Sequence, residues 1–264
     1  MPTYAALFLA VEAAPAEPVQ PLVDVPHREG LALVWHDDFE HLDAARWSTS
    51  PHTFEKNAAQ FDAAMVRTEH GRLVIGLDQA PAPTADGRSY LGGELRTAET
   101  FTYGRFEARA RFARGSGVVS SLFTFYDHLS DPDLEENWNE IDIEFVGKSP
   151  EKVQFNIMYW DDSKAQQSHE HFIELGYDAT AEFHDYAIEW LPEAINFYVD
   201  DVLVHSQAEH VPARMKRPSR LMLSVWPVSG EQGIVNWAGA FDDKVLPAAA
   251  LYEWVRVYAH APEG

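Results

Sequence analysis

The sequence contains no cysteine. Disulfides, thiol nucleophiles and cysteine-ligated zinc are therefore excluded, although the absence alone does not assign a compartment. Basic residues are scarce: 20 Lys and Arg stand against 42 Asp and Glu, a formal net charge of -22. Nucleic acid and anionic membranes both require a basic face, so neither is an expected partner. The same charge makes a strongly anionic substrate unfavourable, and much of it serves solubility. No apolar run reaches the length of a transmembrane helix. Helical periodicity is scarce as well, with one turn expected at Pro247–Leu251.

What is present is an ample supply of core. Hydrophobic residues make up 46% of the 264 residues and aromatics 12%, enough for one large domain or two small ones. Residues 1–30 read as an N-terminal extension, because Pro15, Pro18, Pro21 and Pro26 suit an extended tether. Within it, Ala5–Val11 is a short apolar run with no basic residue before it and Glu12 directly after. That makes a poor signal peptide, and the run reads as an arm packed on the domain or the remnant of a trimmed leader. The domain proper is expected over 31–264, beginning at the apolar segment Leu31–Trp35.

Short strand-like segments then recur with turn signals between them. They are Arg72–Leu77, Glu94–Thr97 after the pair Gly92-Gly93, Gly104–Phe112, Val118–Tyr126, Lys152–Trp160, Asp185–Trp190, Ala194–Val199, Val202–His205, Arg220–Trp226 and Ala250–Tyr258. Pro81–Gly87 is a polar loop, and Asp200-Asp201 signals a tight hairpin. In Gly104–Phe112 the residues Phe106, Ala108, Ala110 and Phe112 alternate with Arg105, Glu107, Arg109 and Arg111, which predicts an outer strand with one wet face. Many short strands with regular turns predict an all-β, two-sheet antiparallel β-sandwich.

One strand stands apart. In Trp138-Asn-Glu-Ile-Asp-Ile-Glu-Phe145, Glu140, Asp142 and Glu144 alternate with Ile141 and Ile143. On a strand the three acids share one face, with Trp138 closing the row. An ordinary half-buried strand would turn such a row to water. Here no Lys or Arg lies inside the run to relieve the repulsion, and the tryptophan suits a cleft better than a bare surface. Paired carboxylates are suited to glycosidic bond cleavage: one attacks the anomeric carbon while the other protonates the leaving oxygen and later activates water. Glu140 and Glu144 lie about 13 Å apart between Cα atoms at ~3.3 Å per residue. Two long side chains leaning inward can close that gap toward the ~5–5.5 Å of a retaining pair. Asp142 between them adds a charge that keeps one glutamate protonated and a carboxylate that orients the nucleophile. A divalent metal is the competing use, but ligands so spaced on one strand face do not all reach one ion. His169-Glu170-His171 alternates on a strand without a third ligand and reads as a polar loop, so no metal site is expected.

Glu140-Ile-Asp-Ile-Glu144 resembles the active-site signature of glycoside hydrolase family 16 in the form without an inserted residue. Trp138–Lys148 with Val153–Asn156 looks like the bacterial lichenases and related exopolysaccharide-cleaving endoglycanases, as do Tyr90–Thr97, Tyr103–Glu107, Gly117–Ser121 and Tyr252–Arg256. The resemblance runs from about Trp35 to Tyr258. It implies a β-jelly-roll of two curved sheets with the substrate cleft on the concave side. It also implies a retaining endo-β-glucanase in which Glu140 is the nucleophile, Glu144 the acid/base and Asp142 the assisting carboxylate. The substrate implied is a β-1,3/β-1,4 glucan or related bacterial polysaccharide, the location secreted or periplasmic, and the state monomeric. A transglycosylase on the same fold is the alternative. A non-catalytic carbohydrate-binding protein is a second one, against which the retention of both glutamates counts.

The resemblance places Asn156 in the cleft. Strand parity then adds Gln154, Met158 and Trp160 and sends Val153, Phe155, Ile157 and Tyr159 to the core. Sugars present flat C–H faces and many hydroxyls, so binding needs aromatics and fixed polar groups. Glu94, Arg96, Phe123, Trp138, Asn156, Trp160, Trp226 and Trp237 are the candidates. Core packing is the competing reading for each tryptophan, and a surface salt bridge for Glu94 with Arg96. Met158 stands where lichenases carry an aromatic and Ser224 where they carry Asn, and Asp127–Asn137 forms an acidic loop unlike theirs, which weakens the assignment to mixed-linkage glucan. No cofactor is required by the chemistry. Some members bind a structural calcium through a C-terminal acid; Glu253 is the nearest match, where Asp is expected.

Overall fold

The computed structural model describes residues 28–208 and 210–260. The extension expected over 1–30 therefore lies outside the described residues except for Arg28–Gly30. In chain order the strands are β1 (Leu31–Asp37), β2 (Trp47–Ser48), β3 (Ala59–Phe61), β4 (Val66–Glu69), β5 (Arg72–Gln79), β6 (Tyr90–Thr97), β7 (Gly104–Arg111), β8 (Val118–Phe125) and β9 (Asn139–Val146). They continue as β10 (Lys152–Trp160), β11 (Gln166–Ser168), β12 (His171–Glu174), β13 (His184–Trp190), β14 (Ile195–Val199), β15 (Val202–Gln207), β16 (Arg220–Pro227) and β17 (Ala248–His260). One α-helix, α1 (Gln232–Ala238), lies between β16 and β17.

The strands fold into two layers, antiparallel throughout except for the short parallel pair β3–β6. The first layer runs β15-β14-β13-β7-β17, with β1 and β5 sharing the far edge of β17. The second runs β2-β6-β16-β8-β9-β10, with β11 and β12 sharing the far edge of β10. Strand β6 belongs to both. Tyr90–Gly92 pair with β5, and Gly93–Arg96 pair with β16. The crossing falls on Gly92-Gly93, where the backbones of two layers come too close for a side chain. A Cβ on Gly92 would lie 2.6 Å from the Val225 carbonyl oxygen, and one on Gly93 2.6 Å from Ile75 Cγ2.

The core lies between the layers. Phe106, Tyr186, Ile188 and Val257 from the first layer meet Leu122, Ile141, Ile143, Phe155 and Leu223 from the second. The parity expected on β10 holds: Val153, Phe155, Ile157 and Tyr159 are buried in this core. The Asp200-Asp201 hairpin also forms between β14 and β15, with φ of 47° and 63° at its two central residues, the twist that suits a two-residue loop.

Two local expectations change. Strand β7 is central, not outer, since β13 and β17 flank it. Its polar face is dry at one end: Arg105 and Glu107 are 4% and 2% exposed. They bond to each other, and Arg28 and Asp201 complete the charge pairing over them. Second, no helical turn covers Pro247–Leu251. Ala248 already pairs with Leu77 of β5, because the hydrogen bonds offered by β5 extend the strand through the alanines. The regular helix lies instead at α1, whose Ile234 and Ala238 are buried.

Candidate active site

The outward face of the second layer is the floor of a cleft of about 1110 Å³. Antiparallel register sets its residues in rows. Glu140 lies between Phe125 of β8 and Met158 of β10, Asp142 between Phe123 and Asn156, and Glu144 between Ser121 and Gln154. Beyond β8 the middle row continues through Met222 of β16 to Arg96 of β6, and the Glu144 row through Ser224 to Glu94. Alternation along each strand thus puts the three acids, Asn156 and the Glu94/Arg96 pair on one floor.

Walls rise at the two ends of the acidic strand. At the Glu140 end stand Trp138, Phe125 and Leu129; at the Glu144 end stand Trp226, Trp237, Ile234 and Phe54. Phe54 packs edge-on against Trp226 at 5.0 Å. Of the candidates read from the sequence, Glu140, Asp142, Glu144, Glu94, Arg96, Phe123, Trp138, Asn156, Trp226 and Trp237 all line the cleft. Trp160 stands one step back, its ring 6.1 Å from Trp138 and 5.9 Å from His128, so it supports the wall from behind. Residues that strand parity could not reveal come from loops: His52, Phe54, Leu129, Glu170 and Glu231 also line the cleft. Glu170 lies in the segment His169-Glu170-His171, whose first two residues link β11 to β12.

The polar groups are tied in place. Trp138 Nε1 donates to Glu140 Oε2 at 2.7 Å. Trp237 Nε1 donates to Gln154 Oε1, and the Gln154 amide, so oriented, donates to Glu144 Oε2 at 3.5 Å. Asn156 Oδ1 accepts from Ser168 Oγ at 3.0 Å and from the His169 amide at 3.1 Å. Glu94 and Arg96 are buried rather than salt-bridged at the surface. The Arg96 guanidinium donates to Asp127 at 2.9 Å and to Ser130 at 2.6 Å.

Packing acids on a half-enclosed floor raises their pKa values. Burial lifts Glu144 to about 8, with the charges of Glu140 and Glu170 adding to it. Burial lifts Glu140 only to about 7, because hydrogen bonds from Trp138 and Asp142 favour its ionised form. Asp142 is raised well above the carboxylate range by burial and then by its two neighbours, so it keeps its proton and donates it toward Glu140. Glu94 is raised to about 8 by desolvation. The arrangement therefore separates two carboxyls on one strand, the more readily ionised at Glu140 and the more firmly protonated at Glu144.

On the opposite layer Glu253 offers no cation site. Its Oε1 accepts from Arg72 Nη2 at 2.8 Å and its Oε2 from Arg109 Nε at 2.8 Å. Both oxygens face guanidinium charge, and a calcium ion would meet that charge first; the donor set does not fit calcium.

Comparison with known proteins adds a lineage. A model of glycosyl hydrolases family 16 matches residues 47–247. A β-glucanase from Brevibacillus brevis is 33% identical over 234 residues, covering 86% of this chain and 82% of its own length. The crystal structure of a prokaryotic β-1,3-1,4-glucanase (lichenase) from a mouse hindgut metagenome superposes with a TM-score of 0.74 at 30% identity, covering 86% of this chain and 99% of that one. The laminarinase catalytic domain from Thermotoga maritima superposes with a TM-score of 0.75 at 21% identity, covering 88% and 100%, a likeness of fold alone.

Proposed function

This chain belongs to glycosyl hydrolases family 16, and from that premise we propose that it is a retaining endo-β-glucanase acting on internal β-1,3/β-1,4 bonds. The observation that carries the reading is geometric: Glu140 and Glu144 stand two alternations apart on one face of β9 at the cleft floor, Glu140 held by the Trp138 indole N–H and Glu144 facing the Gln154 amide. A retaining mechanism needs two such carboxyls, an ionised nucleophile beside a protonated acid.

In the first step Glu140 attacks the anomeric carbon while Glu144 gives its proton to the departing glycosidic oxygen. The product is a glycosyl ester on Glu140 and a free sugar end. Glu144, now ionised, then takes a proton from water, the hydroxide oxygen bonds to the anomeric carbon, and Glu140 is released as carboxylate. Asp142 hydrogen-bonds to Glu140, which steadies the carboxylate before attack and as it leaves. The cleft walls of Phe54, Trp226 and Trp237 offer apolar surface to sugar rings, while Glu94, Arg96 and Asn156 offer polar contacts.

The β-glucanase and lichenase relatives support a β-linked glucan as substrate. Such a polymer lies outside the cell membrane, and a secreted or periplasmic monomer suits it. Among the described residues no helix is long and apolar enough to cross a membrane. Hydrolysis of barley β-glucan, lichenan, laminarin and xyloglucan by the wild type and by Glu140→Gln tests the reading. Cleavage of at least one glucan by the wild type, with a loss of at least ~10³-fold in the variant, is expected. Full activity in Glu140→Gln would sink the mechanism. Added acceptor oligosaccharide distinguishes hydrolysis from transglycosylation by its products.

A further inference from the structure

Trp138 lines the cleft, yet the geometry around its indole is that of a fastening rather than a platform. The indole carries a single donor and no acceptor, and that donor is spent on Glu140 Oε2 at 2.7 Å. The ring is held on several sides. Phe125 meets it edge-on at 5.2 Å, His128 edge-on at 6.0 Å, and Trp160 at 6.1 Å. Its backbone is fixed too: Asn137 Oδ1 accepts the Trp138 amide at 2.7 Å, and the Trp138 carbonyl accepts the Trp160 amide at 3.3 Å. One residue on, Asn139 Oδ1 accepts the amides of Lys216 and Arg217, both at 3.1 Å. The start of β9 is thereby locked in place.

We infer that Trp138 is a positioning residue for the Glu140 carboxylate: its indole N–H holds Oε2 and leaves Oε1 as the attacking oxygen. The inference rests on the assignment of Glu140 as nucleophile. An indole N–H bonds more strongly to an ionised carboxylate than to a carboxylic acid. The contact therefore favours the ionised carboxylate and fixes its rotation about the last side-chain bond. The other ionisable groups bearing on this carboxylate are Asp142 and Glu144 from β9 itself and Glu94 from β6. Its register neighbours on β8 and β10, Phe125 and Met158, are uncharged. Arg220 of β16 lies beyond Phe125 and turns to Asp127 at 3.4 Å. His128, in the loop after β8, touches the far side of the indole. Trp138 is thus one of two donors to Glu140, the other being the protonated Asp142, and it is the one of the pair that does not titrate.

Two measurements test this. In a 15N-labelled sample, one of the eight tryptophan indole resonances is expected to titrate with the acidic limb of kcat/KM in the wild type and to stop titrating in Glu140→Gln. This comparison needs no tryptophan variant. In Trp138→Phe, which keeps the ring and removes the donor, the acidic limb is expected to move up by about one pH unit. Below the limb kcat/KM should fall about tenfold, chiefly through kcat, with KM changed by less than about threefold. An unmoved limb with a raised KM would make Trp138 a sugar platform and overturn the inference. Retained activity in Glu140→Gln would remove the nucleophile assignment and this inference with it. A non-titrating indole beside an inactive Glu140→Gln would remove this inference alone.

Discussion

At Glu144 the folded protein holds a carboxyl proton up to about pH 8, whereas an ordinary glutamate releases it near 4.5. Between those values the native state binds more protons than the unfolded chain, so stability falls as pH rises through the window. The sign is opposite to that of a salt-bridged acid, whose depressed pKa adds stability at high pH. Glu144→Gln removes the titration while keeping the shape. The variant is expected to melt a few degrees above the wild type near pH 8, at ~2–4 °C per kcal/mol for a chain of this size, and the gain should vanish near pH 4.5. Thermal melts across that range check it; a variant melting below the wild type at every pH would contradict it. The residue scale also marks where the sequence stopped being informative. Period-two alternation placed Glu140, Asp142 and Glu144 on one face, because a strand allows only two faces; on the next long strand the family resemblance placed Asn156 in the cleft, and alternation then added Gln154. Glu170, whose charge raises Glu144, sits in a β11–β12 linker, and nothing in its local spacing says that the linker folds back over the floor. Trp160 obeyed parity, yet Trp138 and His128 stand in front of it, a matter of packing at the end of β10.

Strands were legible because their ends carry Gly, Pro and Asp signals and their middles alternate. Lys152–Trp160 keeps the expected bounds as β10, and β8, β14 and β16 differ at the ends by one residue. The short β2, β3 and β4 were not legible, since two to four residues carry no periodicity. Helix α1 was missed for a related reason. Its seven residues include Gly233 and the β-branched Ile234 and Val235, all poor helix formers. Packing of Ile234 and Ala238 against Val119 and Trp226 holds it instead. The Gly92-Gly93 pair was readable as a turn signal but not as the point where β6 passes from one layer to the other. That role yields a prediction. A methyl at Gly93 would meet Ile75 Cγ2 at 2.6 Å and the Met65 carbonyl oxygen at 2.9 Å, neither of which can swing away. Gly93→Ala is expected to cost about 2–4 kcal/mol in urea unfolding. Gly230→Ala, where a Cβ would meet nothing within 4 Å, is expected to be neutral or slightly stabilising.

For the whole molecule, a formal charge of -22 sets the field in which any substrate arrives. The cleft does not reverse it. Asp127, Glu140, Glu170 and Glu231 line it against Lys56 and Arg96, Arg96 is already paired with Asp127, and Glu94, Asp142 and Glu144, which keep their protons, add no positive charge. A neutral glucan is indifferent to this field, whereas a polymer carrying carboxylates is repelled before it reaches the floor. The repulsion acts between largely solvated charges, so salt should weaken it: the screening length shortens from ~30 Å at 0.01 M to ~10 Å at 0.1 M. Carboxymethylated β-glucan is therefore expected to be cleaved with a kcat/KM about tenfold or more below that of the unmodified polymer at low ionic strength. Several-fold of that gap should close by about 0.3 M salt, while the unmodified glucan changes little. The salt dependence separates charge from the loss of hydroxyl contacts, which carboxymethylation also causes and which salt does not restore. Parallel kinetics on the two polymers across ionic strength decide the matter. A gap that stays constant with salt would assign the discrimination to blocked hydroxyls at Glu94, Arg96 and Asn156 rather than to the net charge.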